Sequence, residues 1–201
     1  AKLRINALIT TLASMQIVRG FGLIISDYKA VGIVNENFFE LGNARFLGVV
    51  APIWITLGCF LVFGFILQRT VFGRDTLAVG GNAEAAHLAG IAVDRVKIII
   101  FTAQGVMAAF AGIVLASRLT SGQPNTSVGF ELDVISACVL GGVSLTGGVG
   151  SMTFVVAGVL IMSIVQNAMN LLNIPPGYQY VARGLILLAA VLFDRWKRRK
   201  Q

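Results

Sequence analysis

Three groups of residues in this 201-residue chain have types and spacings suited to recognition. Ser163, Asn167 and Asn170 recur at i, i+4 and i+7 with Gln166 beside them, one stripe of a helix. Amides and a hydroxyl donate and accept hydrogen bonds without offering an ion pair. Such a stripe suits a path for a neutral polyhydroxylated solute, and it serves equally for helix-to-helix hydrogen bonding. The second group lies in the longest polar interval, Phe72 to Lys97, where a Gly80-Gly81-Asn82 break precedes a small-residue run. Asn82 is a good helix N-cap, Glu84 falls where the helix dipole favours a carboxylate, and Gly90 suits the position after the C-cap. Between them Ala83, Ala85, Ala86, Leu88 and Ala89 make a mildly apolar surface on about two turns of helix. This is either an ordinary interfacial loop helix or a docking surface for another chain, and His87 on it reads as a surface or packing histidine. The third group is Gln123, Glu131 and Asp133, in and just after a polar loop. The two carboxylates either pair with Arg118 or, with Gln123, meet an extracytoplasmic partner.

Catalytic chemistry has almost nothing to stand on. No Gly-Lys dipeptide occurs, which removes the phosphate-binding loop of the nucleotide hydrolases. A single histidine rules out the His-Glu-x-x-His metal motif and most triads, so neither catalytic nor metal-ligating residues are assigned. Gly147, Gly148 and Gly150 resemble a dinucleotide loop only superficially, because no strand precedes them. Cys59 and Cys138 both lie in apolar runs and suggest neither a disulfide framework nor a metal site.

The elements that carry these groups belong to a membrane. Hydrophobic residues are 56% of the chain, charged ones 12%, and mean hydropathy is +0.83. A soluble domain carries about a quarter charged residues, so the expected fold is all-α, a polytopic transmembrane helix bundle. About six membrane segments are predicted: 3–25, 53–67, 98–117, 132–145, 152–172 and 180–193. The fourth is short and runs into Gly141-Gly142 and Gly147-Gly148-Val149-Gly150, which suggests a discontinuous or re-entrant helix held inside protein. The net charge of +7 does not point to nucleic acid, because the basic residues sit at segment ends without aromatic interleaving.

Those basic residues orient the chain. If each segment crosses once from a cytoplasmic amino terminus, one side collects Lys2, Arg4, Arg69, Arg74, Arg95, Lys97 and the five basic residues of 195–200. The other side and the span interiors keep Arg19, Lys29, Arg45, Arg118 and Arg183. Eleven against five places 72–97 in the cytoplasm and the loops 26–52, 119–131 and 173–178 outside. The assignment holds only if 132–145 crosses.

The runs TLAVGGNAEAAHLAGI, KIIIF, ASRLTSGQP, GFELDVISACVLGGVSLTGGVGS, NAMNLLNI and RGLILLAAVLFDR resemble the permease family of bacterial ABC importers for monosaccharides. The resemblance covers essentially the whole chain. It implies a single transmembrane permease domain over 1–201, multi-pass in the bacterial inner membrane, with 72–97 as its cytoplasmic coupling loop. It further implies that Gly81, Asn82, Glu84, Ala85, Ala86, His87 and Gly90 meet an ATP-binding cassette subunit. The other implied partners are a periplasmic sugar-binding protein, a second permease copy forming a homodimer, and the lipid bilayer. ATP and magnesium would sit on the ATPase subunit, no cofactor on this chain. L-Arabinose is the expected sugar, moved from periplasm to cytoplasm by alternating access. Family members are longer, with additional amino-terminal spans, so roughly the carboxy-terminal three fifths is expected here. Position 87 is often arginine in relatives, so the histidine argues against a required fixed charge. The alternative from the residues themselves is an ion-gradient-driven transporter or channel, which would need intramembrane carboxylates away from the span ends.

Overall fold

In the computed structural model, residues 7–198 are described, with side chains from 9 to 192. The amino-terminal part of the first predicted span, with Lys2 and Arg4, and the basic residues Arg199 and Lys200 lie outside them. Apolar runs too long for a strand become helices, because a chain in lipid must satisfy its own backbone. They are α1 (Ala7–Ile25), α3 (Ala51–Arg69), α6 (Val93–Leu119), α7 (Phe130–Leu140), α8 (Met152–Leu171) and α9 (Pro176–Arg198), with α2 (Glu36–Asn43), α4 (Val71–Gly81) and α5 (Ala83–Leu88) between them. Among the described residues α3, α6 and α8 are long and apolar enough to cross a membrane. The apolar parts of α1 and α9, Ile9–Ile25 and Pro176–Leu192, are shorter. Helix α3 has no buried residue and exposes Leu61 and Phe65 by about two thirds, as a lipid-facing helix does.

The described residues divide into two compact units. The first holds α1, α2, the first part of α3 and nearly all of α6. Its irregular connection is more ordered than the polar loop expected over 26–52. Short strands β1 (Val31–Gly32) and β4 (Ser121–Gly122) pair antiparallel, which ties the segment after α1 to the end of α6. Strands β2 (Arg45–Phe46) and β3 (Val49–Val50) form a hairpin whose central residues Leu47 and Gly48 have φ of 53° and 79°, the turn geometry that matches strand twist. Helix α2 is docked by Ser117, a fully buried side chain of α6. Its hydroxyl donates to Phe38 O at 2.6 Å and accepts from Gly42 N at 2.8 Å. A Cβ at Gly42 would lie 2.6 Å from Arg118 N, so only glycine allows this approach.

The second unit holds the rest of α3 with α4, α5, α7, α8 and α9. Between α3 and α4 the chain turns on Thr70, whose hydroxyl donates to Ile66 O at 2.6 Å and caps α4 by accepting from Gly73 N at 3.1 Å. Helix α7 packs on α8 and on α9. The α7–α8 pair is close because Gly141 and Gly158 leave no side chain between them; a Cβ at Gly158 would overlap Ala137 O. The expected short fourth segment is thus an 11-residue helix followed by an irregular loop, 141–151. The interval 72–97 is likewise not a single loop. Most of α4 and all of α5 fall in it, and α6 takes its last residues from Val93, where Asp94 sits in the favourable first turn.

Candidate functional site

The second unit carries most of the residues singled out above. Helix α5 is closed at both ends by its own sequence. The Asn82 side chain accepts from Glu84 N and Ala85 N, both at 3.0 Å. At the other end Gly90 N donates to His87 O and Ile91 N to Ala86 O, both at 3.0 Å, with Gly90 at φ 85°. That paired pattern with a left-handed residue is the Schellman arrangement, which only glycine adopts without a steric cost. Glu84, Ala85, His87 and Leu88 are exposed, Leu88 at 84%. Ala86 is not; at 5% exposure it faces inward, and it cannot belong to a docking surface. An inward position follows from α5 packing on α4, which takes one face of so short a helix. Asn82 alone separates the two helices.

On α8 the residues Gly158, Met162 and Met169 are buried, and Ser163, Asn167 and Asn170 are exposed about a third of a turn round the same helix, with Gln166 half-buried between the two faces. The stripe therefore exists as a surface of this unit. Its lower end is engaged: Gln179 Nε2 donates to Asn170 Oδ1 at 3.1 Å and to Ile174 O at 2.9 Å. One turn along α9, Arg183 Nη1 donates to Asp133 Oδ2 at 3.0 Å, and the guanidinium lies 5.5 Å from the Tyr180 ring centroid. A polar row thus runs Asn170, Gln179, Arg183, Asp133 across α8, α9 and α7.

Two expectations are corrected here. Asp133 pairs with Arg183, not Arg118. With its side chain 9% exposed it is no contact for an extracytoplasmic partner. An arginine in an apolar helix needs a carboxylate, and packing brings α7 and α9 together. That arginine was the signal in the sequence for the pair: Arg183 is isolated in an apolar run, so it demanded a partner. Glu131 is half-buried, whereas Gln123 is exposed in the first unit, where its amide bonds to Ser121 Oγ at 3.2 Å and accepts from Thr126 Oγ1 at 3.0 Å. Among the described residues no group of three or more acidic, histidine or cysteine side chains is placed to hold a metal.

A contact that the spacing did not reveal joins the end of α4 to the α7–α8 loop. A Cβ on Gly80 would lie 2.8 Å from Gly148 N, and one on Gly148 would lie 2.6 Å from Gly81 Cα. A Cβ on Gly147 would overlap the Gly80 carbonyl oxygen, and both loop glycines have positive φ, 92° and 77°. Ser144, buried in the same loop, donates its N–H to Val149 O at 2.9 Å and shares a 2.8 Å hydroxyl bond with Thr146.

Helices that suit a bilayer, a capped helix with an exposed face and an uncharged polar surface describe a membrane permease subunit. The chain belongs to the family of branched-chain amino acid transport system permease components, which it matches over residues 1–191. It is 66% identical over 199 residues to the L-arabinose transport system permease protein AraH of Escherichia coli, covering 99% of this chain and 61% of that protein. With the L-arabinose ABC transporter permease protein AraH of Azospirillum brasilense it shares 58% over 201 residues, 100% of this chain and 59% of that one. The ribose import permease protein RbsC of Bacillus subtilis is 42% identical over 191 residues, 94% and 59% of the two chains. The chain therefore spans less than two thirds of the length of these relatives. No solved structure matches it.

Proposed function

We propose that the chain is part of the membrane-spanning permease of an ATP-driven monosaccharide importer, with L-arabinose as its cargo. The 66% identity over 99% of the chain to a protein named for L-arabinose transport carries this reading. Relatives named for ribose support the wider class at 40–42% identity. The geometry supports the division of labour. The exposed face of α5, made of Glu84, Ala85, His87 and Leu88, receives the ATP-binding cassette subunit in the cytoplasm, and ATP and magnesium stay on that subunit. A periplasmic binding protein delivers sugar at the opposite side. A second permease copy completes the translocation path in the bacterial inner membrane. Closure of the ATPase dimer displaces α5, and the bundle alternates access to the uncharged stripe of Ser163, Gln166, Asn167 and Asn170.

The test uses the full-length permease reconstituted with its ATPase and binding protein. Ala85→Leu, on the exposed face, is expected to preserve folding and basal ATP hydrolysis and to abolish stimulation by sugar-loaded binding protein; normal stimulation sinks the role of α5. Ala86 is unsuited to this test, since bulk there disturbs packing. The ion-gradient alternative needs a carboxylate free to titrate within the bundle. Among the described residues the one buried carboxylate, Asp133, is held by Arg183. Uptake that persists without the ATPase and collapses with an ionophore would favour that alternative.

A further inference from the structure

Nothing in the coupling role of α5 says how its displacement reaches the helices that face the sugar. We propose that Gly80, Gly147 and Gly148 form a backbone clasp that transmits it, as positioning residues for transport. The proposal rests on the importer reading. Its carrier is steric. Four glycines, Gly80 and Gly81 at the end of α4 and Gly147 and Gly148 in the α7–α8 loop, approach main chain to main chain. A Cβ at Gly80, Gly147 or Gly148 would sit closer to a neighbouring backbone atom than real side chains tolerate, and that neighbour is main chain, which cannot rotate away. Packed main chain transmits displacement because it has no soft side chain to absorb it.

The same rigidity extends in both directions. On one side a single residue, Asn82, separates the clasp from α5, and α5 packs on α4. On the other, the loop is braced internally by the Ser144–Val149 and Ser144–Thr146 bonds. It then enters α8, which the glycine approach at Gly141 and Gly158 locks onto α7. A push on α5 therefore reaches the start of α8, the helix of Ser163 and Asn167, through closely packed backbone. Gly150, in the same loop, differs from these glycines. A Cβ there meets the Val143 side chain at 3.5 Å, an ordinary contact, so it serves as a control outside the clasp.

The experiment compares Gly80→Ala with Gly150→Ala in the full-length permease, assembled with its ATPase and binding protein in liposomes. Gly80→Ala is expected to retain assembly and basal ATP hydrolysis while binding-protein-stimulated hydrolysis falls about tenfold. Gly150→Ala is expected to keep the native stimulation. Native stimulation in Gly80→Ala, or equal losses in both variants, overturns the clasp. A second measurement does not depend on how Gly80→Ala folds. Spin labels at Ala78→Cys and Leu145→Cys, both exposed, in a full-length permease otherwise free of cysteine, report the distance across an intact clasp within one subunit. That distance is expected to stay constant when ATP binds; a change beyond about 5 Å, one helical turn, overturns the proposal. An unaltered complex showing no stimulation by sugar-loaded binding protein would overturn the importer reading itself, and the clasp with it.

Discussion

At the scale of single residues, the chain shows how much an amide or a carboxylate does when its surroundings leave it no alternative. Helix α5 has six residues, far below the length at which a helix holds in water. Its Asn82 cap therefore matters more than a cap on a long helix. Asn82→Ala is expected to cost about 1 kcal/mol locally. Hydrogen exchange at Ala86 N and Ala89 N, which bond to Asn82 O and Ala85 O, should speed up about fivefold, and Asn82→Asp should restore protection. Asp133 is the stricter case. Its Oδ1 and the Nε of Arg183 are buried without partners, so the pair is only half satisfied in this unit. Asp133→Ala leaves a guanidinium with no counter-charge and is expected to destabilise by about 3 kcal/mol. Asp133→Leu combined with Arg183→Met should cost less than either single change, because no charge then remains buried. Thermal denaturation in detergent of Asp133→Ala and of the four proteins in that cycle checks both statements.

At the scale of elements, the contrast is between what periodicity announces and what only packing makes. Long apolar runs announced α1, α3, α6, α8 and α9, because a chain in lipid satisfies its own backbone most simply as a helix. Asn82 and Gly90 likewise announced α5, since cap chemistry is local. Neither α2 nor α4 was legible. Each is short, each carries glycine, and each rests on atoms distant in sequence: Ser117 for α2, the loop glycines Gly147 and Gly148 for α4. A pattern read along the chain cannot register a partner 75 residues away. Ser117→Ala tests this directly. It strands the buried Gly42 N–H, at a cost of about 1–3 kcal/mol. Protease sensitivity within Glu36–Asn43 should rise while α6 stays intact. The polar stripe on α8 was legible as a stripe, but its division was not. Asn170 is committed to Gln179, whereas Ser163 and Asn167 remain exposed. Asn167→Ala should therefore raise the KM for sugar uptake several-fold with unchanged protein stability, whereas Asn170→Ala should also loosen the α8–α9 connection.

At the scale of the whole molecule, surface exposure separates a lipid-facing region from a protein-facing one. Leu61 on α3 is 66% exposed, and Ser144 in the α7–α8 loop is buried. In membranes carrying the full-length complex, Leu61→Cys is expected to react with a lipid-soluble thiol reagent, and Ser144→Cys to stay unreacted. Labelling at Ser144 would place the glycine loop against lipid. The family takes its name from branched-chain amino acid transport, while the relatives with 58–66% identity are named for a pentose.

The Asp133–Arg183 pair has a further meaning in the order of synthesis. The two residues are 50 apart in sequence, and the aspartate leaves the ribosome first. Near a helix centre an unpaired arginine costs about 2.5–3.5 kcal/mol to place in the bilayer, so α9 enters lipid reluctantly by itself. A carboxylate already waiting on α7 removes that reluctance. The last helix is thus inserted as a partner to one made earlier, and losing Asp133 would be felt first in biogenesis, before any sugar is offered.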